Sequence, residues 1–183
     1  MKKILFSTVV LGAVAVAAFA VVKSGLDKGE NVSPFHPKHI SGPLANSDSC
    51  FPCTYKNRPQ VQVWVNGDSQ ENVMAIAKNL ASAMETHKKA EFKAMVVFLV
   101  EPSKMDATKK SMEKMMAAYK GNPVAISLLA NNDDAVSAYK FNLKAKNTVF
   151  AYKNWKVEGK MVDFKADKAG LEALNGVIAK ITK

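Results

Sequence analysis

The stretch Ala94-Met95-Val96-Val97-Phe98-Leu99-Val100 contains no polar residue and is only as long as a strand. A strand that is apolar on both sides needs cover on both faces, so it belongs near the centre of a sheet with other layers packed around it. Its neighbours in sequence supply that cover. Upstream, Val73, Ile76, Ala77, Leu80 and Met84 recur at helical spacing and mark one face of a helix ending near His87. Downstream, Met105, Met112, Met115, Met116 and Tyr119 line a second helix, which Gly121-Asn122-Pro123 stops. A chain built this way is an α/β protein.

The remaining elements extend the pattern. Val61, Val63 and Val65 alternate with Gln60 and Gln62 around Trp64, giving a strand ahead of the first helix. Asn66-Gly67-Asp68 turns the chain, and Asp68 with Glu71 has the spacing of a capping box. Ser103 and Asp106 repeat that spacing before the methionine-rich helix. Val124 to Leu129 is another short apolar strand, and Asp133 caps a short helix running through Tyr139. Thr148 to Tyr152 and Val157 to Phe164 flank Lys153-Asn154-Trp155-Lys156 as a hairpin. A last helix starts near Asp167 and buries Leu171, Leu174, Val177, Ile178 and Ile181. The order is β-α-β-α-β-α-β-β-α, which predicts a mixed central sheet with an antiparallel C-terminal hairpin.

Ahead of these elements, Met1-Lys2-Lys3 precedes an uncharged apolar run from Ile4 to Val22, and Ala18-Phe19-Ala20 has the small-x-small form of a signal-peptidase site. Residues 1–20 read as a secretory signal peptide. The run is nearly long enough to stay as an anchor, so membrane contact is expected only through this segment if it is uncleaved. The expected organisation is signal peptide 1–20, irregular N-terminal arm 21–58 and α/β domain 59–183, in a periplasmic or secreted protein. Removing the signal leaves about 160 residues, enough for one domain with its own core.

The formal charge is +10, carried almost wholly by lysine, with Arg58 as the single arginine. Nucleic-acid sites use arginine forks and aromatic platforms, so this composition and export both argue against that partner. A lysine-coated surface with weak attraction to anionic material is the plainer reading. No Ser-His-Asp set, glycine-rich phosphate loop or paired-carboxylate motif occurs, which leaves hydrolase and nucleotide readings without support. The oligomeric state is not legible.

The chemistry-bearing residues cluster in the arm, where Pro34, Pro37, Pro43 and Pro52 oppose regular helix. Cys50-Phe51-Pro52-Cys53 supports three readings. The pair can exchange disulfides, with Lys56 and Arg58 nearby to favour a thiolate. It can be an inert bridge, although so small a loop constrains the unfolded chain by only about 2 kcal/mol. It can join His36 and His39 as two thiolates and two imidazoles around zinc or copper. The first two need no cofactor. Elsewhere, the methionine stripe could bind Cu(I) but has the spacing of core filler. Trp155 at the hairpin tip either contacts a partner or folds back, and Trp64 belongs to the core.

The order of elements resembles the thioredoxin-like superfamily, especially its redoxin branch with an inserted helix. The local match runs through Pro123-Val124-Ala125-Ile126-Ser127, Asp133 to Phe141, Asn147 to Tyr152 and the hairpin ending in Gly159-Lys160-Met161-Val162. It covers roughly residues 59 to 183. The resemblance implies a reactive cysteine after the first strand, at the start of the next helix, facing a cis-proline before the hairpin. Here those slots read Asn66-Gly67-Asp68-Ser69-Gln70 and Asn147, and the Thr or Ser of a peroxide pocket is missing too. The usual site is therefore absent, and the scaffold implies protein thiols or disulfides as partners. The resulting expectation is an exported thioredoxin-like protein exchanging disulfides through Cys50 and Cys53. Cys50, as the N-terminal and usually more exposed member, is the sulfur that attacks or is attacked, and Cys53 resolves. An arm folded back over the first strand would bring the pair near the usual active-site edge. The alternative is a non-enzymatic binding protein whose Cys/His arm holds zinc or copper or forms a structural disulfide.

Overall fold

The computed structural model describes residues 22–116 and 121–183; the signal segment 1–20 and Tyr119 lie outside the described residues. The strands are β1 (Lys38–Ser41), β2 (Gln60–Val65), β3 (Lys93–Val100), β4 (Ala125–Ala130), β5 (Asn147–Lys153) and β6 (Lys156–Val162). The helices are α1 (Phe51–Tyr55), α2 (Gln70–Thr86), α3 (Met105–Met116), α4 (Asp134–Ala138) and α5 (Lys168–Ile181). All six strands form one sheet in the order β1-β4-β3-β2-β5-β6. β2, β3 and β4 run parallel, while β1, β5 and β6 pair antiparallel to their neighbours. From residue 59 onward the element order matches the sequence expectation.

The apolar run of β3 lies inside the sheet, as its composition requires. On one face Val61, Val63, Ala94 and Val96 pack with Val73, Ile76 and Leu80 of α2, Met112 of α3, and Leu174 and Ile178 of α5. On the other face Trp64, Met95, Val97 and Phe150 meet Tyr139, Phe141 and residues of the arm: Leu26, Val32, Phe35 and Phe51. The arm is thus the second cover layer. It also pairs beside the hairpin, where Val157 N donates to Glu30 O at 2.9 Å and Val32 N to Trp155 O at 2.9 Å.

This cover explains why Gln60 and Gln62, the polar members of the β2 alternation, are fully buried. Their amides form a closed chain of donors and acceptors, as buried polar groups must. Trp64 Nε1 donates to Gln62 Oε1 at 3.0 Å, and Gln62 Nε2 donates to the Tyr152 hydroxyl at 2.6 Å. Tyr152 in turn donates to Gln60 Oε1 at 2.8 Å, and Gln60 Nε2 donates to Lys56 O at 3.0 Å. Burial drives the Tyr152 phenol far above its ordinary range, so it stays protonated and able to donate.

Several local expectations change in the folded chain. The cap of α2 is Ser69, whose side chain accepts from Asn72 N, and Asp68 is left for another task. Glu101 and a short 3-10 turn over Pro102–Lys104 lead into α3, so the Ser103/Asp106 capping pattern is not used. Asp133 and Asp167 do cap α4 and α5. Met112 is core, Met105 and Met116 pack against it, and Met115 is exposed. Trp64 is fully buried, and Trp155 folds back against the arm-side core. Asn154 and Trp155 both have positive φ (52° and 66°), the conformation a two-residue hairpin turn demands.

Candidate functional site

Two ends of β2 compete for the role of functional site. At its C-terminal end the chain turns through Asn66 to Ser69 into α2, and beside it lies an open cleft of about 600 Å³ lined by Asp68, Asn72, Asn147 and Phe164 among others. Asp68 Oδ2 accepts from Asn72 Nδ2 at 2.7 Å and from Asn147 Nδ2 at 2.6 Å. Asn147 also exchanges both bonds with Phe164, its Nδ2 donating to the carbonyl at 2.9 Å and its Oδ1 accepting from the amide at 2.8 Å. Asn147 is 1% exposed. Every polar atom in this knot has a partner, which describes a fastened joint more than a waiting active site.

At the N-terminal end of β2 stands the cysteine pair. Cys50 and Cys53 are joined in a disulfide. Cys50 is the N-cap of α1 and its sulfur accepts from Cys53 N at 3.2 Å. Pro52 occupies the first turn of α1, where a missing N–H costs nothing, so a proline in the arm permits this short helix. Between the cysteines, Phe51 is 1% exposed and plugs into the arm-side core, with the Tyr55 ring 4.8 Å from it. Cys50 is buried at 6% exposure and Cys53 is exposed. That reverses the expectation that Cys50 is the accessible member, because Phe51 drags its neighbour inward.

The histidines brace the irregular segment that leads into Cys50. His39 is 2% exposed. Its Nε2 donates to Ser49 O at 2.9 Å, which leaves Nδ1 to accept from the Ser127 hydroxyl at 2.7 Å. Burial pushes its imidazole below the ordinary range, against the opposing pull of the Ser49 carbonyl and the Asp48 charge. His36 is exposed and its Nδ1 donates to Asp48 O at 3.0 Å. The set His36, His39, Cys50 and Cys53 is therefore not assembled for zinc or copper: both His39 nitrogens hold other partners and the sulfurs hold each other. Among the described residues no three His, Cys, Asp or Glu side chains come together as a metal cage.

No family model and no curated protein matches the sequence. Solved structures do match the fold. The thiol:disulfide interchange protein DsbE of Chlorobium tepidum superposes with a TM-score of 0.65 at 16% identity, covering 86% of this chain and 99% of its own. An uncharacterized conserved protein of Geobacillus kaustophilus gives 0.66 at 10% identity, covering 88% and 85%. Peroxiredoxin Q of Xanthomonas campestris gives 0.58 at 13% identity, covering 82% and 92%. The fold is thioredoxin-like. On this scaffold β2 is the strand that the usual cysteine would follow, and Asp68 and Ser69 stand in its slot. Asn147, with its peptide bond trans, stands where the resembling enzymes place cis-proline. The Asp68–Asn147 knot thus fills the space between them.

The cysteine pair lies at the opposite end of the sheet. Residues 56–59 lead directly from α1 into Gln60, the first residue of β2, whereas the usual slot follows Val65, the last. A strand rise of about 3.3 Å per residue separates those ends by roughly 17 Å. The arm folds back over the sheet face as expected, but it does not carry Cys50 and Cys53 to the usual edge.

Proposed function

We propose that this thioredoxin-like protein exchanges disulfides with protein thiols through Cys50 and Cys53, outside the cytoplasm. Export is supported by the apolar N-terminal run with its small-residue cleavage pattern. The observation that carries the exchange reading is the asymmetry of the pair: Cys53 is exposed, and the buried Cys50 sulfur already accepts a backbone N–H. A client thiolate forms a bond to the Cys53 sulfur, the Cys50–Cys53 bond breaks, and its electron pair stays on Cys50. The Cys53 N–H steadies that leaving thiolate. A second client thiolate then displaces Cys53, so the client dithiol loses two electrons and the pair gains them. The reverse sequence reduces a client disulfide by the same contacts.

The reduction potential of the pair, set by titration against glutathione with alkylation and mass detection, tests this reading. A value between roughly −120 and −270 mV places it among exchanging disulfides, and one below about −300 mV makes it a structural bridge.

The second reading is a non-enzymatic thioredoxin-fold binding protein with a structural bridge. It draws on Phe51, which is buried between the two cysteines and pins α1 to the sheet. In the same reading, reduced Cys50 and Cys53 could hold zinc or copper with His36 and His39 after the arm rearranges. Stoichiometric metal on the reduced protein, removed by His39→Ala, is the result that supports it.

A further inference from the structure

The two ends of the sheet differ in charge. At the disulfide end an open cleft of about 630 Å³ is lined by Tyr55, Lys56, Arg58, Lys153, Lys183 and Glu91, together with smaller neutral residues. Glu91 is the sole carboxylate side chain among the described residues of that lining, and Arg58 Nε already pairs with it at 3.0 Å. Lys93 adds a further cation at this end, its Nζ 5.4 Å from the centre of the Tyr55 ring. The cleft at the other end carries Asp68, Glu71, Asp163 and Asp167 against Lys146 and Lys165.

The backbone of Lys56 is held in place at the end of α1. It has a left-handed φ of 51°, its N–H donates to Pro52 O at 2.8 Å, and its carbonyl accepts from Gln60 Nε2 at 3.0 Å. Those bonds fix the backbone that carries an exposed lysine side chain, three residues beyond exposed Cys53.

We infer that this cationic cleft selects the exchange partner: a protein thiol or disulfide flanked by acidic side chains. The inference rests on the exchange reading above. Exposed charges of this kind act on encounter rate and orientation more than on affinity, and salt weakens them. The chemistry at sulfur is unchanged, and the lysines determine which clients arrive.

The test uses the reduced protein and two peptides, each bearing its cysteine as a mixed disulfide with thionitrobenzoate. One peptide has aspartates and the other lysines a few residues from the cysteine. Attack by a protein thiolate forms a protein–peptide disulfide and expels coloured thionitrobenzoate, whose release gives the rate. In about 20 mM salt the acidic peptide should react about tenfold faster, and in about 0.5 M salt the ratio should fall below about two. Lys56→Glu with Lys153→Glu should invert the preference, whereas Lys165→Glu at the far end should leave it intact. Equal rates for both peptides in low salt, or a ratio indifferent to the double reversal, overturns the inference while leaving exchange standing. Failure of both peptides to react overturns the exchange reading itself.

Discussion

Asn147 Nδ2 lies 2.6 Å from Asp68 Oδ2, tying the first residue of β5 to the turn that follows β2. The pair does not stand alone. Asn72 Nδ2 donates to the same carboxylate oxygen and to Phe164 O, and Asn72 Oδ1 accepts from Ala166 N at 2.8 Å. Two asparagines and one aspartate thereby join α2, β5 and the segment entering α5. In a thioredoxin-like enzyme this junction holds the reactive thiol and the proline that faces it; here it works as a fastening.

Replacing Asn147 with Ala should therefore cost stability and leave the sulfur chemistry alone. The substitution strands the Phe164 N–H and removes one donor from Asp68, at about 1–3 kcal/mol for a buried unsatisfied group. The urea midpoint should fall accordingly, with exchange through Cys50 and Cys53 unchanged at the other end of β2. A lost exchange rate with an unchanged midpoint would show that the knot belongs to the chemistry.

That knot also shows where sequence reading stops. The elements after residue 59 were legible because each carries its own period: two for β2, helical spacing for α2 and α5, an unbroken apolar run for β3. Asp68 was legible only as a cap, since Asp68 with Glu71 fits the capping pattern and nothing local reveals Asn147, 79 positions away. Ser69 takes the cap instead. The arm hid more. β1 has no alternation of its own and exists because it pairs with β4, and α1 forms around a proline tolerated only in a first turn. Leu26, Val32, Phe35 and Phe51 were the available signal that the arm is a core layer, because apolar residues spaced along a proline-rich segment need something to cover. The exposure of Cys53 over Cys50 follows from Phe51, which the spacing of the cysteines does not reveal.

The unequal burial of the cysteines sets opposite expectations for their single variants. Cys50→Ser leaves Cys53 exposed, so it should react readily with a disulfide reagent and trap a mixed disulfide with a client. Cys53→Ser leaves a buried Cys50, which should react at least about tenfold more slowly until the protein unfolds. Both lose the bridge and about 2 kcal/mol of stability. Thiol-reagent kinetics on the two native variants decide the matter; equal rates would remove the basis for assigning Cys53 the contact with the client.

Gly25 fastens the start of the arm. It sits at φ 82°, and a Cβ there would come within 2.5 Å of Phe150 Cε1 and 2.9 Å of Thr148 Cγ2. Next to it, the Ser24 hydroxyl bonds Thr148 Oγ1 at 2.7 Å and Gly25 N donates to Lys140 O at 2.8 Å. Gly25→Ala should cost about 1–3 kcal/mol through the clash and the positive φ together. Limited proteolysis should then open residues 22–29 first, while the sheet stays protected. Retained resistance in that segment would mean that Phe150 and Thr148 yield without loosening the arm.

His39 gives the fold a dependence on pH whose direction is fixed by burial. Its imidazole is held below the ordinary range, chiefly because burial disfavours the cation. As pH falls below about 6.5, the unfolded chain takes up a proton that the native state refuses, so stability declines. The loss continues toward the native pKa at no more than about 1.4 kcal/mol per pH unit, and above about pH 7 His39 contributes none of it. The Ser127 hydroxyl can turn to accept from a protonated Nδ1, so the cost lies in desolvating the charge more than in a broken bond. His39→Gln offers the same donor to Ser49 O and an acceptor to Ser127 without titrating, and it should flatten that part of the profile. Urea unfolding of both proteins at two pH values, near 7.5 and near 5.5, isolates the effect, since the two chains differ only at His39. An equal loss in the two would assign the acid sensitivity elsewhere; a smaller loss in His39→Gln would assign that part of it to the burial of the His39 imidazole.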